Sequence, residues 1–345
     1  MIAYLASKFK NRRRKQVLQH LTQNSNGGCF AFIGIGQHSM ENLYPALLST
    51  GVPVKYLYSR DLQLAQQAAR LFPGSTGVAD LHHLLDDKEV KGVFICIKNE
   101  HQLPLVIRFL DAGKYVFVEK PAVTDYAGLE TLLSHPLADR CMIAFNKRFN
   151  PLNRELEKEI SRSYSYHAKY LTGPYPEGDA VMELFCHPVD NVLQFFGPPK
   201  DYCLQHKKVN GGISIQLMMQ HEQANGTLEL STCYSWNMFK DQLHCINQRR
   251  SIEIDYPGSF LVSPLGYRVG GIPMEKLFRK QRPVFMQQPA AVPVATNNSI
   301  WQHGYLQEVT YFVETVNRGG LPEQATPATL QTSFALLDSI RRSIS

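Results

Sequence analysis

CFAFIGIGQHSMENLYPALLSTG, residues 29–51, decides how the fold is read. Cys29–Ile33 is a run of apolar residues, which suits a strand buried on both faces. Glycines then break the run, and MENLYPALLST reads as a helix closed by Gly51. Between them, Gly34-x-Gly36-x-x-Ser39 has the G-x-G-x-x-G spacing with serine in third place. The first glycine permits a tight turn, and the second lets backbone approach a pyrophosphate. The third normally packs helix on strand, and serine is its least disruptive polar substitute. Gly34, Ile35, Gly36, Gln37, His38 and Ser39 are therefore candidate cofactor-binding residues. A glycine-rich turn with no ligand is the competing reading.

Working outward, strand and helix alternate. PVKYLYS, KGVFICI, KYVFVEK and RCMIAFN read as further strands. DLQLAQQAARLFPG, LHHLLDDKEV, QLPLVIRFLDAG and AGLETLLSHP read as the helices between them. Strands buried on both faces and joined by helices predict a parallel sheet covered by helices, from about residue 29 to 147. Such sheets bind ligands at the carboxyl ends of their strands. Polar groups gather at those ends: Ser59-Arg60, Lys98-Asn99-Glu100, Glu119-Lys120-Pro121 and Asn146-Lys147-Arg148.

An NAD site usually has an acid about 20 residues beyond the glycines. Here Ser59 and Arg60 stand 23 and 24 residues after Gly36. Serine and arginine can hydrogen-bond and neutralise a 2′-phosphate, so NADP(H) is expected over NAD(H), with NAD(H) possible. The competing reading makes Arg60 a solvated helix-start residue and Asp61 an N-terminal cap, and Asp61 could also reach the ribose. The acid and lysine at the tip of FVEKP raise a second question, because a buried charge is costly unless paired or employed. An ammonium near a reacting oxygen stabilises the negative charge of carbonyl reduction. Alcohol oxidation needs a base instead. Lys120 suits this work, with Glu119 holding or countering its charge. A strand-end turn with a surface ion pair is the alternative.

The 345 residues are 44% hydrophobic, enough for two domains. The net charge of +6 comes from six bases, and no acid, within residues 1–28; the rest of the chain balances. That extension reads as a phosphate or membrane-surface patch, or as a solvated helix. No stretch reaches the ~18 apolar residues of a membrane span. Charges follow the short apolar start MIAYLA, so it is not a secretory signal. Seven scattered cysteines without zinc-ligand spacing suggest a reduced, cytoplasmic, metal-free protein. Nothing points to nucleic acid.

The strand-GxG unit, AGKYVFVEKP, IAFNKRFNP and ELFCHPVD together resemble the Gfo/Idh/MocA oxidoreductase family. So does the closing segment YLQEVTYFVETVNRGGLPEQATPATLQTSFALLDSI, and the likeness covers about residues 29–345. The resemblance implies a Rossmann dinucleotide-binding domain at 29–147. An α+β substrate and oligomerisation domain with a large open, mainly antiparallel sheet follows at 148–345, its last helices returning to the first domain. It implies hydride transfer between a nicotinamide and a secondary alcohol or carbonyl carbon of a sugar-like or nucleotide-sugar substrate. By the same resemblance Lys120 lies beside the nicotinamide and the reacting oxygen, and the Lys120–Pro121 bond is cis. Asn146 and Arg148 match the family's Asn-x-Arg-Phe, near the carboxamide and the substrate. Arg148 could hold a substrate phosphate or carboxylate.

GDAVMELFCHPVDNVLQFFG, residues 178–197, reads as one helix, which puts Glu183, His187 and Asp190 on one face. An acid one turn before a histidine can fix its tautomer, as a general acid/base requires. His187 and Asp190 match the family's Asp-x-x-x-His-x-x-Asp, with Glu183 in place of aspartate; Lys120, His187, Glu183 and Asp190 are the candidate catalytic residues. Lys120, Arg148 and His187 are the candidate substrate contacts. A core histidine on an apolar face is the plainer alternative. The departures are a glycine-rich lead-in reduced to Gly178, Phe185 in place of glycine, and Pro188 directly after the histidine. The usual Thr-Pro-Asn-x-x-His becomes Ile97-Lys98-Asn99-Glu100-His101-Gln102, so Ile97, Lys98, Asn99 and Gln102 are candidate nicotinamide-ribose contacts and His101 is not.

Beyond residue 200, GISIQLMMQ, GTLELSTCYSW, QLHCINQ and SIEIDY alternate like antiparallel strands, with Asn225-Gly226 expected as a hairpin turn. Residues 257–300 are expected to be a long loop or lid. Family likeness implies a homodimer or homotetramer through this sheet. Two other functions stay open: NAD-dependent glycoside cleavage, and non-catalytic dinucleotide sensing.

Overall fold

The computed structural model describes residues 28–266 and 295–344, with Lys8, Asn11, Arg12, Lys15, Arg268, Val269, Ile272, Pro273 and 284–287. Most of the basic extension, and much of the expected lid, lie outside the described residues. The chain forms two compact units. The first comprises Met1–Val123, Glu130–Ala144 and Tyr305–Ala328; the second comprises Thr124–Leu129, Phe145–Gly304 and Thr329–Ser345.

The first unit is built on six parallel strands: β1 (Cys29–Ile33), β2 (Val54–Tyr58), β3 (Thr76–Val78), β4 (Val90–Ile95), β5 (Tyr115–Glu119) and β6 (Cys141–Ala144). Their order is β3-β2-β1-β4-β5-β6, so the direction of winding reverses between β1 and β4. That switch point opens a crevice at the carboxyl ends. The short edge strand β3 was not expected from sequence; three residues carry too little periodicity to read. Helices α1 (Tyr44–Thr50), α2 (Leu62–Ala69), α3 (His82–Leu85), α4 (Gln102–Asp111) and α5 (Tyr126–Leu133) fall in the connections. Phe30, Phe94 and Phe117 are fully buried and cluster with Phe312, also fully buried, whose ring lies 5.3 Å from Phe94 and 5.5 Å from Phe117. Phe312 arrives on a later helix, Tyr305–Asn317. The carbonyl of Ala325 accepts the Ile143 N–H at 2.8 Å on edge strand β6.

The second unit begins with α6 (Pro151–Glu159), β7 (Ser165–Leu171), α7 (Ala180–Glu183) and α8 (Cys186–Phe196). β8 (Asp201–Val209), β9 (Gly212–Gln220), β10 (Asn225–Ser231), β11 (Lys240–Ile246), β12 (Arg250–Asp255) and β13 (Ser259–Pro264) follow. After a two-residue ribbon, β14 (Arg268–Val269) and β15 (Ile272–Pro273), comes β16 (Val284–Gln287). The eight-stranded sheet runs β16-β13-β12-β11-β7-β10-β9-β8, antiparallel except where β7 pairs with β10. Helices α9 (Ala295–Gln302), α10 (Tyr305–Asn317) and α11 (Pro327–Ile344) complete the described chain. None of the described helices is long and apolar enough to cross a membrane.

Three expectations are corrected. Residues 178–197 are two helices, because Pro188 has no N–H to donate back to Leu184 and the chain restarts at Cys186. Asn225 and Gly226 are the first residues of β10, paired with Gln220 and Met219; the turn lies at 221–224. A Cβ on Gly226 would sit 2.2 Å from the Tyr166 ring, so the glycine is there for close packing. Finally, β13 and β16 fall within the stretch expected to be a loop.

Candidate functional site

In the first unit, the turn after β1 starts with Gly34 at φ +105°, a conformation glycine adopts readily. A Cβ there would lie 1.9 Å from the Cys96 carbonyl oxygen, so two strand-end loops meet at this point. A Cβ on Gly36 would meet nothing within 4 Å. Open space therefore faces bare backbone where a helix begins, which fits a dinucleotide pyrophosphate. Ser39 is fully buried, filling the position of the third glycine without disturbing the turn. It opens a π-helical turn, Ser39–Leu43, that runs into α1.

Glu119, at the tip of β5, is 7% exposed. Its Oε1 lies 3.1 Å from Nε2 of His38, and its Oε2 accepts the Lys120 N–H at 3.3 Å. The acid that ends the core strand thus pairs with the Gly34–Ser39 loop. Burial works against a charged His38 ring, but the Glu119 hydrogen bond and charge outweigh it and raise the pKa. The Tyr305 ring sits edge-on to His38 at 5.5 Å, and burial together with the charges of Glu119 and Glu308 raises its hydroxyl pKa. The Lys120–Pro121 bond is cis.

At the tip of β2, Ser59 Oγ accepts the Asp61 N–H, and Asp61 Oδ1 accepts the N–H groups of Gln63 and Leu64. Asp61 therefore caps α2, next to an exposed Arg60. Beyond β4, Gln102 is fully buried and donates to the Ile97 carbonyl at 2.9 Å, bracing its own loop. Asn99 starts a short 3-10 turn after Lys98. His101 is exposed beside Glu100.

In the second unit, Asn146 is buried and donates to the His303 carbonyl at 2.9 Å. Arg148 and Asp190, read from sequence as a substrate anchor and a partner of His187, clasp each other. Nε and Nη2 donate to the two carboxylate oxygens at 2.8 and 2.6 Å, a bidentate match of planar groups. Thr329 and Ser333 of α11 complete the cluster: Arg148 also donates to the Thr329 side chain and carbonyl, and Ser333 donates to Asp190. Glu183 accepts from the Tyr175 hydroxyl at 2.5 Å and the Asp179 N–H at 3.3 Å. Its carboxylate lies over Gly178, where a Cβ would come within 2.6 Å. His187 meets the Phe145 ring edge-to-face at 5.5 Å.

Sequence reading missed Tyr175, whose pKa burial and Glu183 raise together. It also missed the buried Lys147–Asp241 pair, with Nζ 2.6 Å from Oδ1 and 4.7 Å above the Tyr256 ring. No local signal marks these partners, which lie 8 and 94 residues apart.

Residues 29–144 match the family described as "Oxidoreductase family, NAD-binding Rossmann fold". An uncharacterized oxidoreductase of Rhizobium meliloti is 33% identical over 105 residues, 30% of this chain and 31% of that protein. A dTDP-3,4-didehydro-2,6-dideoxy-alpha-D-glucose 3-reductase of Streptomyces antibioticus is 26% identical over 189 residues, 49% of this chain and 57% of the relative. The matches thus span about a third and somewhat over half of these two relatives. Among solved structures, a dehydrogenase from Chromobacterium violaceum has the same fold, with TM-score 0.79, 16% identity, and coverage of 91% of this chain and 94% of that one.

Proposed function

Because residues 29–144 belong to the Gfo/Idh/MocA oxidoreductase family, we propose that this protein is a nicotinamide-dependent oxidoreductase acting on a secondary alcohol or carbonyl of a sugar-like substrate, nucleotide-sugars included. The observation that carries the reading is the Gly34–Ser39 loop at the β1/β4 switch point, with Lys120 at a neighbouring strand tip. The substrate class is supported by the nucleotide-sugar reductase among the relatives.

A bound nicotinamide supplies or accepts the hydride. The loop backbone and the helix start hold the diphosphate. Lys120 as an ammonium donates a hydrogen bond to the reacting oxygen and a proton as the carbonyl becomes an alcohol; in the reverse direction its amine takes that proton. His187 is the second proton-handling group, with Glu183 steadying it. Arg60, beside Asp61 that caps α2, meets the ribose 2′ position, which favours NADP(H). The protein works in the cytoplasm as a homodimer or homotetramer joined through the eight-stranded sheet.

The first test is calorimetric titration of cofactor-stripped, folded protein with NADPH and NADH, then a screen of sugars and nucleotide-sugars. NADPH binds tightly and NADH more weakly; Lys120→Ala keeps binding and loses turnover. If neither dinucleotide binds, the reading fails. A second reading, a dinucleotide sensor without turnover, is favoured by one observation: Arg148, the candidate substrate anchor, is engaged by Asp190 and Thr329. Binding without turnover across the screen would select it.

A further inference from the structure

We propose that His38 and Glu119 form a proton-linked latch for the dinucleotide: occupation of the Gly34–Ser39 loop draws a proton onto His38, and Glu119 holds it. The inference rests on the cofactor reading above and adds a binding role that chain-level similarity does not assign.

His38 lies two residues beyond Gly36 and is the N-cap of the π-helical turn Ser39–Leu43. Its ring is anchored on both sides. Nε2 lies 3.1 Å from Glu119 Oε1, and Nδ1 lies 3.1 Å from Asn42 Nδ2. With the Asn42 amide donating, Nδ1 is an acceptor and the ring is neutral. A half-turn of that amide puts its oxygen in the same place and accepts from a protonated Nδ1. The same surroundings therefore suit both states, and Glu119 accepts from Nε2–H in either.

The groups facing the ring set the sign. Glu119 and Lys120 come from the tip of β5, Glu41 and Asn42 from the same helical segment, and Tyr305 from α10. Two acids outnumber one ammonium, and burial holds the Tyr305 hydroxyl protonated and neutral. Burial opposes the imidazolium, yet Glu119 already outweighs it. A diphosphate at the loop adds negative charge, which raises the affinity of the ring for a proton further. By linkage, binding then takes up a proton, and affinity grows as pH falls, by at most about tenfold per pH unit. The proton comes from solvent and moves to Nδ1; no covalent bond between heavy atoms changes.

The experiment is calorimetric titration of the full chain with NADPH between pH 7 and 9, in Tris and in HEPES. The difference in heat between buffers of unlike ionisation enthalpy counts the protons taken up. His38→Gln keeps an amide donor for Glu119 but cannot titrate. Titration of the cofactor's 2′-phosphate contributes equally to both proteins, so the difference between them isolates His38. The wild type takes up more protons than His38→Gln, and its affinity is steeper with pH. Imidazole nitrogen NMR of the wild type with and without NADPH reads the same proton without any variant, and His38 becomes doubly protonated on binding. Equal proton uptake in the two proteins, or a His38 ring unchanged by NADPH, overturns the latch and leaves the cofactor reading standing. No binding of NADPH or NADH by folded wild type removes both.

Discussion

Replacing Asp190 by alanine removes the counter-charge of Arg148, and its cost separates a structural brace from a catalytic acid. The Asp190 side chain is 1% exposed and that of Arg148 10%, so little solvent screens the pair. Arg148 would keep its two 3.1 Å bonds to Thr329 and lose two shorter, charge-assisted ones. Breaking a buried pair from one side costs about 3–5 kcal/mol, because an uncompensated charge stays behind. The Ser333 hydroxyl also loses its acceptor, about 1 kcal/mol more. Asp190→Ala is therefore expected to cost about 4–6 kcal/mol. Asp190→Leu combined with Arg148→Met recovers most of that, since no charge is left to bury. Urea unfolding followed by tryptophan fluorescence suits the test, because Trp236 and Trp301 both lie in the second unit. A loss under about 1 kcal/mol with turnover abolished would refute the brace and return Asp190 to His187.

Gly34→Ala forces a side chain into positive φ and onto the Cys96 carbonyl, so it should cost on the order of 3 kcal/mol and abolish dinucleotide binding; a thermal shift with and without NADPH checks both. Arg60→Ala should narrow the preference for NADPH over NADH by about tenfold or more, read by titration. His221 is 3% exposed between the Tyr166 hydroxyl and the Gly197 carbonyl, and burial lowers its pKa. The unfolded chain then binds the proton more readily, so stability is lost as pH falls below ~6.5, by up to about 1.4 kcal/mol per unit until the folded pKa is reached. His221→Gln should flatten that slope in urea unfolding between pH 5 and 7.

The first sheet was legible because its strands are continuous apolar runs ended by glycine or polar tips, as in Cys29–Ile33 and Tyr115–Glu119. Gly34 could be read as a turn glycine as well, since it needs a backbone that other residues resist. Long-range pairing left no local trace. Glu119 stands beside Lys120 in sequence, but nothing local marked its hydrogen bond to His38, 81 residues away. Arg148 and Asp190 each matched a site position, but nothing local in the sequence marked that they pair with each other, 42 residues apart. Spacing within 178–197 suggested one helix face, but spacing does not register a missing N–H; Pro188 does. Strands such as β8 escaped notice because most of its residues are exposed and polar, blunting the alternation on which reading depends.

The Phe312 ring gives the first unit an order of assembly. Synthesis delivers β1 through β6 by residue 144, but the helix that lays Phe312 against Phe30, Phe94 and Phe117 emerges some 160 residues later. Until then the nascent sheet keeps a phenylalanine-lined face uncovered, and the β6 edge waits for the Ala325 carbonyl. The first unit is thus the first to begin translation, yet it is sealed only after most of the second unit has been made. Chaperones that recognise bare aromatic surface would meet it throughout translation of the second unit, and a premature stop before residue 305 would strand it open.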